Sequence, residues 1–275
     1  MIRKPVVAGQ FYPAEPERLK EEIEGYLIPD APKEEVIGLV APHAAYMYSG
    51  STAGAVYSRI KPAQTFIILC PNHHTGYGKP YAIMTKGSWE TPLGNVPIDF
   101  QLANQLLTAS KYLEEDHLAH LYEHSIEVHL PFLQVIFKEE PFCIIPICIS
   151  HSKSSDYKEF GLELGKELQN LSKQARLVKV VIIASSDMTH YESQSDAQRK
   201  DNIAIEAILK LDEDMLLEKV NTFHITMCGY IPTVIMLAAA KVLGAKEAEL
   251  VKYTTSGETT GDYQQVVGYA GIIVK

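Results

Sequence analysis

The sequence predicts an α/β fold, a three-layer α/β/α arrangement around a central mixed, largely parallel sheet. Three observations predict it. Phe66-Ile67-Ile68-Leu69-Cys70 is a continuous apolar run, the pattern of a strand buried on both faces. Two further runs, 36–41 and 178–184, share its layout, and the three end in loops that carry His43, His73-His74 and His190. Between residues 36 and 69 a strand, a small-residue helix and a second strand follow one another. That is a βαβ unit, with parallel pairing and a right-handed crossover. Ligands of open α/β sheets bind outside the carboxyl ends of the strands, so the histidine loops mark the expected site.

Taken in order, residues 1–14 read as an extended arm, because Pro5, Gly9 and Pro13 oppose a helix. Residues 15–27 read as a helix, with Pro16 in its first turn and Leu19, Ile23 and Leu27 on one side. Strand 36–41 leads into a loop over 42–50, and a helix is expected over 51–59. Strands follow over 65–69 and 81–84, and 89–95 reads as a turn-rich excursion. Asp99 caps a helix reaching 108, and 111–116 suits a further strand. A helix is predicted over 123–137, with Pro131 demanding a kink or a late start. Strand 142–149, helix 156–171, strand 178–184 and helices over 196–209, 212–220 and 228–243 come next. Gly244 ends the last of these. Strands 249–255 and 266–274 close the chain around a loop over 256–263. No repeat or linker divides it, so residues 1–275 read as one domain.

Composition narrows the function classes. The chain has 275 residues, 46% of them hydrophobic, and a net charge of −9. No apolar run approaches the roughly 20 residues of a membrane span, and the first ten residues lack a signal-peptide core. A cytoplasmic protein with no membrane partner is expected. The negative charge and the absence of Lys/Arg clusters disfavour nucleic acid. Cys70, Cys143, Cys148 and Cys228 form no C-x-x-C pair, which argues against a zinc knuckle or a thioredoxin-type site. There is no G-x-S-x-G elbow, P-loop or G-x-G-x-x-G, which disfavours serine hydrolase, NTPase and dinucleotide chemistry.

Ten histidines remain, and their placement carries the chemistry. His43 follows a strand directly; it suits a ligand, or a loop imidazole bonded to backbone. His73 and His74 point in different directions in an extended loop, so one can face a site while the other supports it or faces out. In Ser185-Ser186-Asp187-Met188-Thr189-His190, Asp187 either sets the tautomer of His190 or caps a turn. In Glu123-His124-Ser125-Ile126-Glu127-Val128-His129, His124 and Glu127 share a face of the predicted helix. The expectation is His124 in the pocket and His129 on a solvated face. His117 and His120 read as structural or exposed residues of a polar loop, His151 follows a strand but fits an ordinary turn equally well, and His224 has no supporting pattern. Cys228, before Gly229 at a helix start, suits a metal ligand or nucleophile, since a helix N-terminus favours thiolate. The other cysteines read as small buried residues.

Gly9-Gln10-Phe11-Tyr12-Pro13, Pro42-His43-Ala44-Ala45-Tyr46, Pro71-Asn72-His73-His74, Glu123-His124-Ser125-Ile126-Glu127, Ser185-Ser186-Asp187-Met188-Thr189-His190 and Cys228-Gly229 together resemble the Memo family over essentially the whole chain. Ala45 departs from the glycine that family often has after His-Ala. The resemblance implies the fold of class III extradiol dioxygenases, non-haem iron enzymes that open catechol rings with two histidines and a carboxylate. It implies metal ligands at His43, His73 and, in place of the carboxylate, Cys228. It implies catalytic pocket roles for His190, Asp187 and His124, with His190 and Asp187 handling protons. It also implies iron(II) or copper as the cofactor, a redox-type activity, peptide or small-molecule ligands, and association with AMMECR-type and radical SAM proteins. A thiolate softens a two-histidine site and favours copper, so a metal-binding redox protein ranks ahead of a non-catalytic peptide-binding module and of a ring-cleaving dioxygenase.

Overall fold

The apolar runs form the middle of a nine-stranded mixed sheet. The structure is a computed structural model describing all residues except Thr75, 151–153 and 175–178, and excepting also the side chains of Ser154 and Ser155. His151 and Val178 therefore lie outside the described residues.

Strand β1 (Ile2–Arg3) precedes helix α1 (Pro16–Tyr26), which Pro16 opens and which buries Leu19 and Ile23. β2 (Gly38–Ala41), α2 (Tyr46–Ser58) and β3 (Thr65–Pro71) form the expected βαβ unit. Helix α2 starts at Tyr46 rather than Ser51. Its first free amide finds an acceptor outside the helix, Tyr46 N–H donating to Phe11 C=O at 2.8 Å. β4 (Tyr81–Ile83) is as predicted. The turn-rich excursion is instead a hairpin, β5 (Ser88–Thr91) and β6 (Gly94–Pro97), with β1 added in parallel to make a second, three-stranded sheet. The fully buried Trp89 anchors it.

Asp99 caps α3 (Phe100–Ala109) by accepting from Leu102 N at 3.0 Å. β7 (Glu114–Glu115) is a short edge strand, and α4 (Leu118–Leu121) is a helical turn where the sequence reads as a polar loop. The helix expected over 123–137 starts late. A 3-10 turn over Glu127–His129 leads into α5 (Leu130–Ile136), with Pro131 in its first turn, where a missing N–H costs nothing. Then come β8 (Cys143–Ile149), α6 (Ser154–Lys173), β9 (Val180–Ser185) and β10 (His190–Glu192). Helices α7 (Gln194–Leu209), α8 (Glu213–Thr222) and α9 (Tyr230–Val242) precede β11 (Ala248–Thr255), α10 (Gly257–Thr260) and β12 (Val266–Val274).

The large sheet runs β10-β12-β2-β9-β3-β8-β4-β7, with β11 also paired to β12. β2, β9, β3 and β8 are parallel; β12 and β4 run antiparallel to their neighbours β2 and β8. Helix α2, with α1 and α5, covers one face, and α9, with α6 and α8, covers the other. Ala41 pairs with Ser185 and Leu69 with Ala184. The carboxyl ends of β2, β9 and β3 therefore lie side by side.

Candidate metal centre

Each of those strand ends delivers part of the site. β2 runs through Pro42 into His43, which is 2% exposed. Its backbone amide donates to Asp187 Oδ1 at 2.8 Å, as does that of Ala44 at 3.3 Å. Its Nδ1 lies 2.8 Å from Ser185 Oγ and its Nε2 lies 3.2 Å from Cys228 Sγ. Burial first, then the imidazoles of His73 and His124, hold His43 well below the usual histidine pKa, so it is neutral. Ala45 sits at φ −57°. No glycine is needed there, and its departure from the Memo pattern leaves His43 in place.

β3 delivers His73. Its amide donates to Glu123 Oε2 at 2.8 Å, and its Nδ1 faces both Glu123 oxygens at 3.1 and 3.2 Å. A carboxylate accepts only, so Nδ1 carries a proton, and in the neutral ring Nε2 is the lone pair. Burial pulls the His73 pKa down, but the Glu123 carboxylate outweighs it and the net shift is upward. Glu123 itself is fully buried. Burial opposes its charge, yet His73, His124 and the Ser125 hydroxyl hold it well below the usual carboxylate range.

Cys228 comes from the entry to α9. A Cβ at Gly229 would lie 2.1 Å from Ser185 C=O, so only glycine lets this helix start close against the end of β9. Asp187 N–H donates to Cys228 Sγ at 3.3 Å. The expectation of a thiolate favoured by the helix end is not met in the metal-free protein. Burial, then the charge of Asp187, push the Cys228 thiol upward, and the Asp187 amide and Ser186 hydroxyl only partly offset them. A bound cation reverses that balance, because a coordinating thiol loses its proton outright.

Donor atoms of His43, His73 and Cys228 all lie within 4.8 Å of one another. The donor set, two imidazoles and a sulfur, fits a borderline-to-soft metal such as copper, zinc or iron. His73, Glu123 and His124 form a second group of the same compactness, but there both Glu123 oxygens are already engaged by His73 and Ser125.

The remaining predicted residues divide. Among the described residues no hydrogen bond joins Asp187 to His190. His190 Nδ1 lies 3.0 Å from Thr226 C=O, and its amide donates to Thr226 Oγ1 at 2.8 Å. A carbonyl accepts only, so His190 presents a free Nε2 lone pair. Burial raises the Asp187 carboxyl in spite of His190 and the two amides it receives. His124 lines the cleft, its ring 5.0 Å from that of His73 and 4.9 Å from Phe11. Burial takes its pKa to about 4. It does not share a face with Glu127, which turns the other way to accept from Arg3, Val6 N, Val7 N and Tyr12 Oη. His74 is exposed, with Nε2 2.9 Å from Tyr122 C=O.

Two expectations are corrected. His129, placed on a solvated face by the sequence, is 1% exposed. Its 3-10 turn is wedged between α2 and β9, and it bonds Tyr57 Oη at 2.9 Å and Ser185 Oγ at 2.8 Å. His120 is not in a polar loop; it is fully buried under the second sheet, Nε2 donating to Ala82 C=O at 3.1 Å. Cys70 and Cys148 are buried as expected, whereas Cys143 is only partly so. Glu123, Ser185 and Thr226 escaped the sequence reading as site residues; Ser185 carried one signal, its place at the end of a buried strand.

A cavity of about 600 Å³ opens onto this centre. Phe11, Tyr48, Tyr191 and Tyr269 share its wall with His43, His73, His124, Asp187 and His190.

Comparison with known proteins identifies the scaffold. A solved structure of an uncharacterized protein from Escherichia coli K12 superposes with a TM-score of 0.54 over 87% of this chain and 100% of that one, at 14% identity, which shows a shared fold. A MEMO1 family protein of Methanococcoides burtonii is 45% identical over the full length of both chains. Those of Methanopyrus kandleri and Aquifex aeolicus are each 43% identical, over 100% and 99% of this chain and 99% and 98% of theirs. The model of the family described as Memo-like protein matches residues 3–273. With the fold, the full-length relatives and the family match in agreement, the chain belongs to the Memo family.

Proposed function

We propose that this protein binds one iron or copper ion through His43, His73 and Cys228 and acts as a redox-type metalloprotein. The observation that carries this reading is the convergence of two imidazoles and a sulfur, from three separate loops, within 4.8 Å. Such a metal would supply a Lewis acid and a one-electron couple beside the cavity. The chain's own residues do the rest. Glu123 holds His73 through Nδ1, which leaves Nε2 to serve as the ligand atom. Asp187 fixes the His43 loop through two amides. His190, its Nδ1 proton tied to Thr226, can take a proton from a bound ligand at Nε2. The sulfur donor favours copper over the iron(II) of a two-histidine, one-carboxylate site.

X-ray absorption of the loaded protein tests the assignment. The expected result is one sulfur and imidazole nitrogens around the metal, with the sulfur lost in Cys228→Ala. A wild-type spectrum without sulfur contradicts it. The cavity supports a second reading, a binding module for a peptide or small molecule, since its volume suits a small ligand. That reading requires metal-free protein to retain binding and Tyr191→Ala or His190→Ala to weaken it.

A further inference from the structure

A buried hydrogen-bonded chain runs from helix α2 to the candidate metal centre and belongs to none of the roles above. Tyr57 Oη meets His129 Nδ1 at 2.9 Å, His129 Nε2 meets Ser185 Oγ at 2.8 Å, and Ser185 Oγ meets His43 Nδ1 at 2.8 Å. Ser185 Oγ also donates to Ser125 C=O at 2.8 Å. Tyr57, His129, Ser185 and Ser125 are at most 1% exposed.

The protons of this chain can be assigned by counting. A serine hydroxyl has one proton and two lone pairs. Ser125 C=O can only accept, and receives no other donor among the described residues. If Ser185 gives its proton there, both imidazoles must donate to it: His129 through Nε2–H and His43 through Nδ1–H. His129 Nδ1 is then an acceptor, and Tyr57 O–H supplies its proton. Every group is satisfied. If Ser185 donates to His43 instead, Ser125 C=O is orphaned. If it donates to His129, both Ser125 C=O and the Tyr57 hydroxyl proton lose their partners. Buried polar groups are rarely left so. The chain ends at Tyr57, itself buried, so it leads no proton to solvent.

We infer that Ser185 and His129 are positioning residues that lock His43 in its Nδ1–H tautomer, leaving Nε2 as a lone pair aimed beside Cys228. The inference rests on the reading of His43 as a metal ligand, since only a ligand needs that nitrogen bare. His43 and His73 would then be prepared alike, Nδ1–H held by an oxygen and Nε2 presented, although one is backed by a hydroxyl and the other by a carboxylate.

Long-range ¹H–¹⁵N spectra of the labelled, metal-free, full-length protein read each imidazole tautomer directly. The expected wild-type result is His43 protonated at Nδ1 and His129 at Nε2. Ser185→Ala should give His43 mixed tautomers and lower copper(I) affinity, by chelator competition, about 10–100-fold. His129→Leu frees the hydroxyl to turn and should introduce a second His43 form. His129→Gln, which keeps an amide N–H toward Ser185, should suppress that form. A wild-type His43 protonated at Nε2, or a single unchanged tautomer in both Ser185→Ala and His129→Leu, overturns the inference. The spectra need no metal. Failure of the wild-type protein to bind metal therefore overturns the ligand reading and stays distinguishable from a failure of the lock.

Discussion

His43 has Nε2 beside Cys228 Sγ, and His73 has Nδ1 held by Glu123, so the two differ in what stands behind them. The carboxylate of Glu123 makes His73 the more basic donor, as carboxylates behind metal-bound histidines do. Glu123→Gln keeps the shape and removes the charge. It should weaken copper(I) or iron(II) binding about 10–100-fold in a chelator competition; an unchanged affinity would show that the charge does not matter. Tyr191 holds φ at 59° on the cavity rim. Tyr191→Gly relieves about 1–2 kcal/mol of left-handed strain against about 0.5–1 kcal/mol of added backbone entropy, so stability to urea should rise by about 0.5 kcal/mol, and a loss above about 1 kcal/mol would contradict the strain. Nothing local in the sequence marks Glu123, because its partner lies 50 residues away. His129 was misplaced for a related reason. The alternating Glu-His-Ser-Ile-Glu-Val-His pattern imitates an exposed helix, whereas both sides of that 3-10 turn are covered.

At the scale of elements, the entry to α9 decides whether the sulfur reaches the imidazoles. Gly229→Ala places a Cβ against Ser185 C=O and Ser186. The helix start must move, taking Cys228 with it. Metal affinity should fall by more than tenfold while stability falls by about 1–3 kcal/mol. Full retention of both would mean the helix start is not held as described. The strands on either side were legible, because 65–71 and 180–185 are buried on both faces and read as unbroken apolar runs. The hairpin over 88–97 was not, because each strand is only four residues long and Pro92 and Gly94 dominate the reading. Its existence follows from the burial of Trp89, a tertiary fact.

For the whole molecule, buried histidines tie stability to pH. Burial draws His120 from 6.5 to about 4 and His129 from 6.5 to about 3. Below 6.5 the unfolded chain takes up these protons and the folded one does not. Their neutral burial is therefore harmless above that value and costs stability as pH falls from it toward 4 and 3. At about 1.4 kcal/mol per unit and group, these two contribute roughly 4 kcal/mol of loss by pH 5, and His43 and His124, also lowered by burial, act in the same direction. Denaturant unfolding should show stability falling as pH drops from 7 to 5, and His129→Gln should remove about 2 kcal/mol of that fall. A flat profile between pH 7 and 5 would contradict the burial of both groups. The three-layer scheme and the strand-end position of the site could be read from the sequence, because parallel sheets dictate both. The hydrogen bonds behind the imidazoles could not, because they join segments distant in the chain.

The most direct measurement of the central claim is elemental analysis of protein purified without chelator or nickel affinity, for the wild type and for His43→Ala and Cys228→Ala. About one iron or copper per wild-type chain, lost in both variants, is the predicted result. Stoichiometric metal retained in both variants, or none in the wild type even after anaerobic loading, would contradict it.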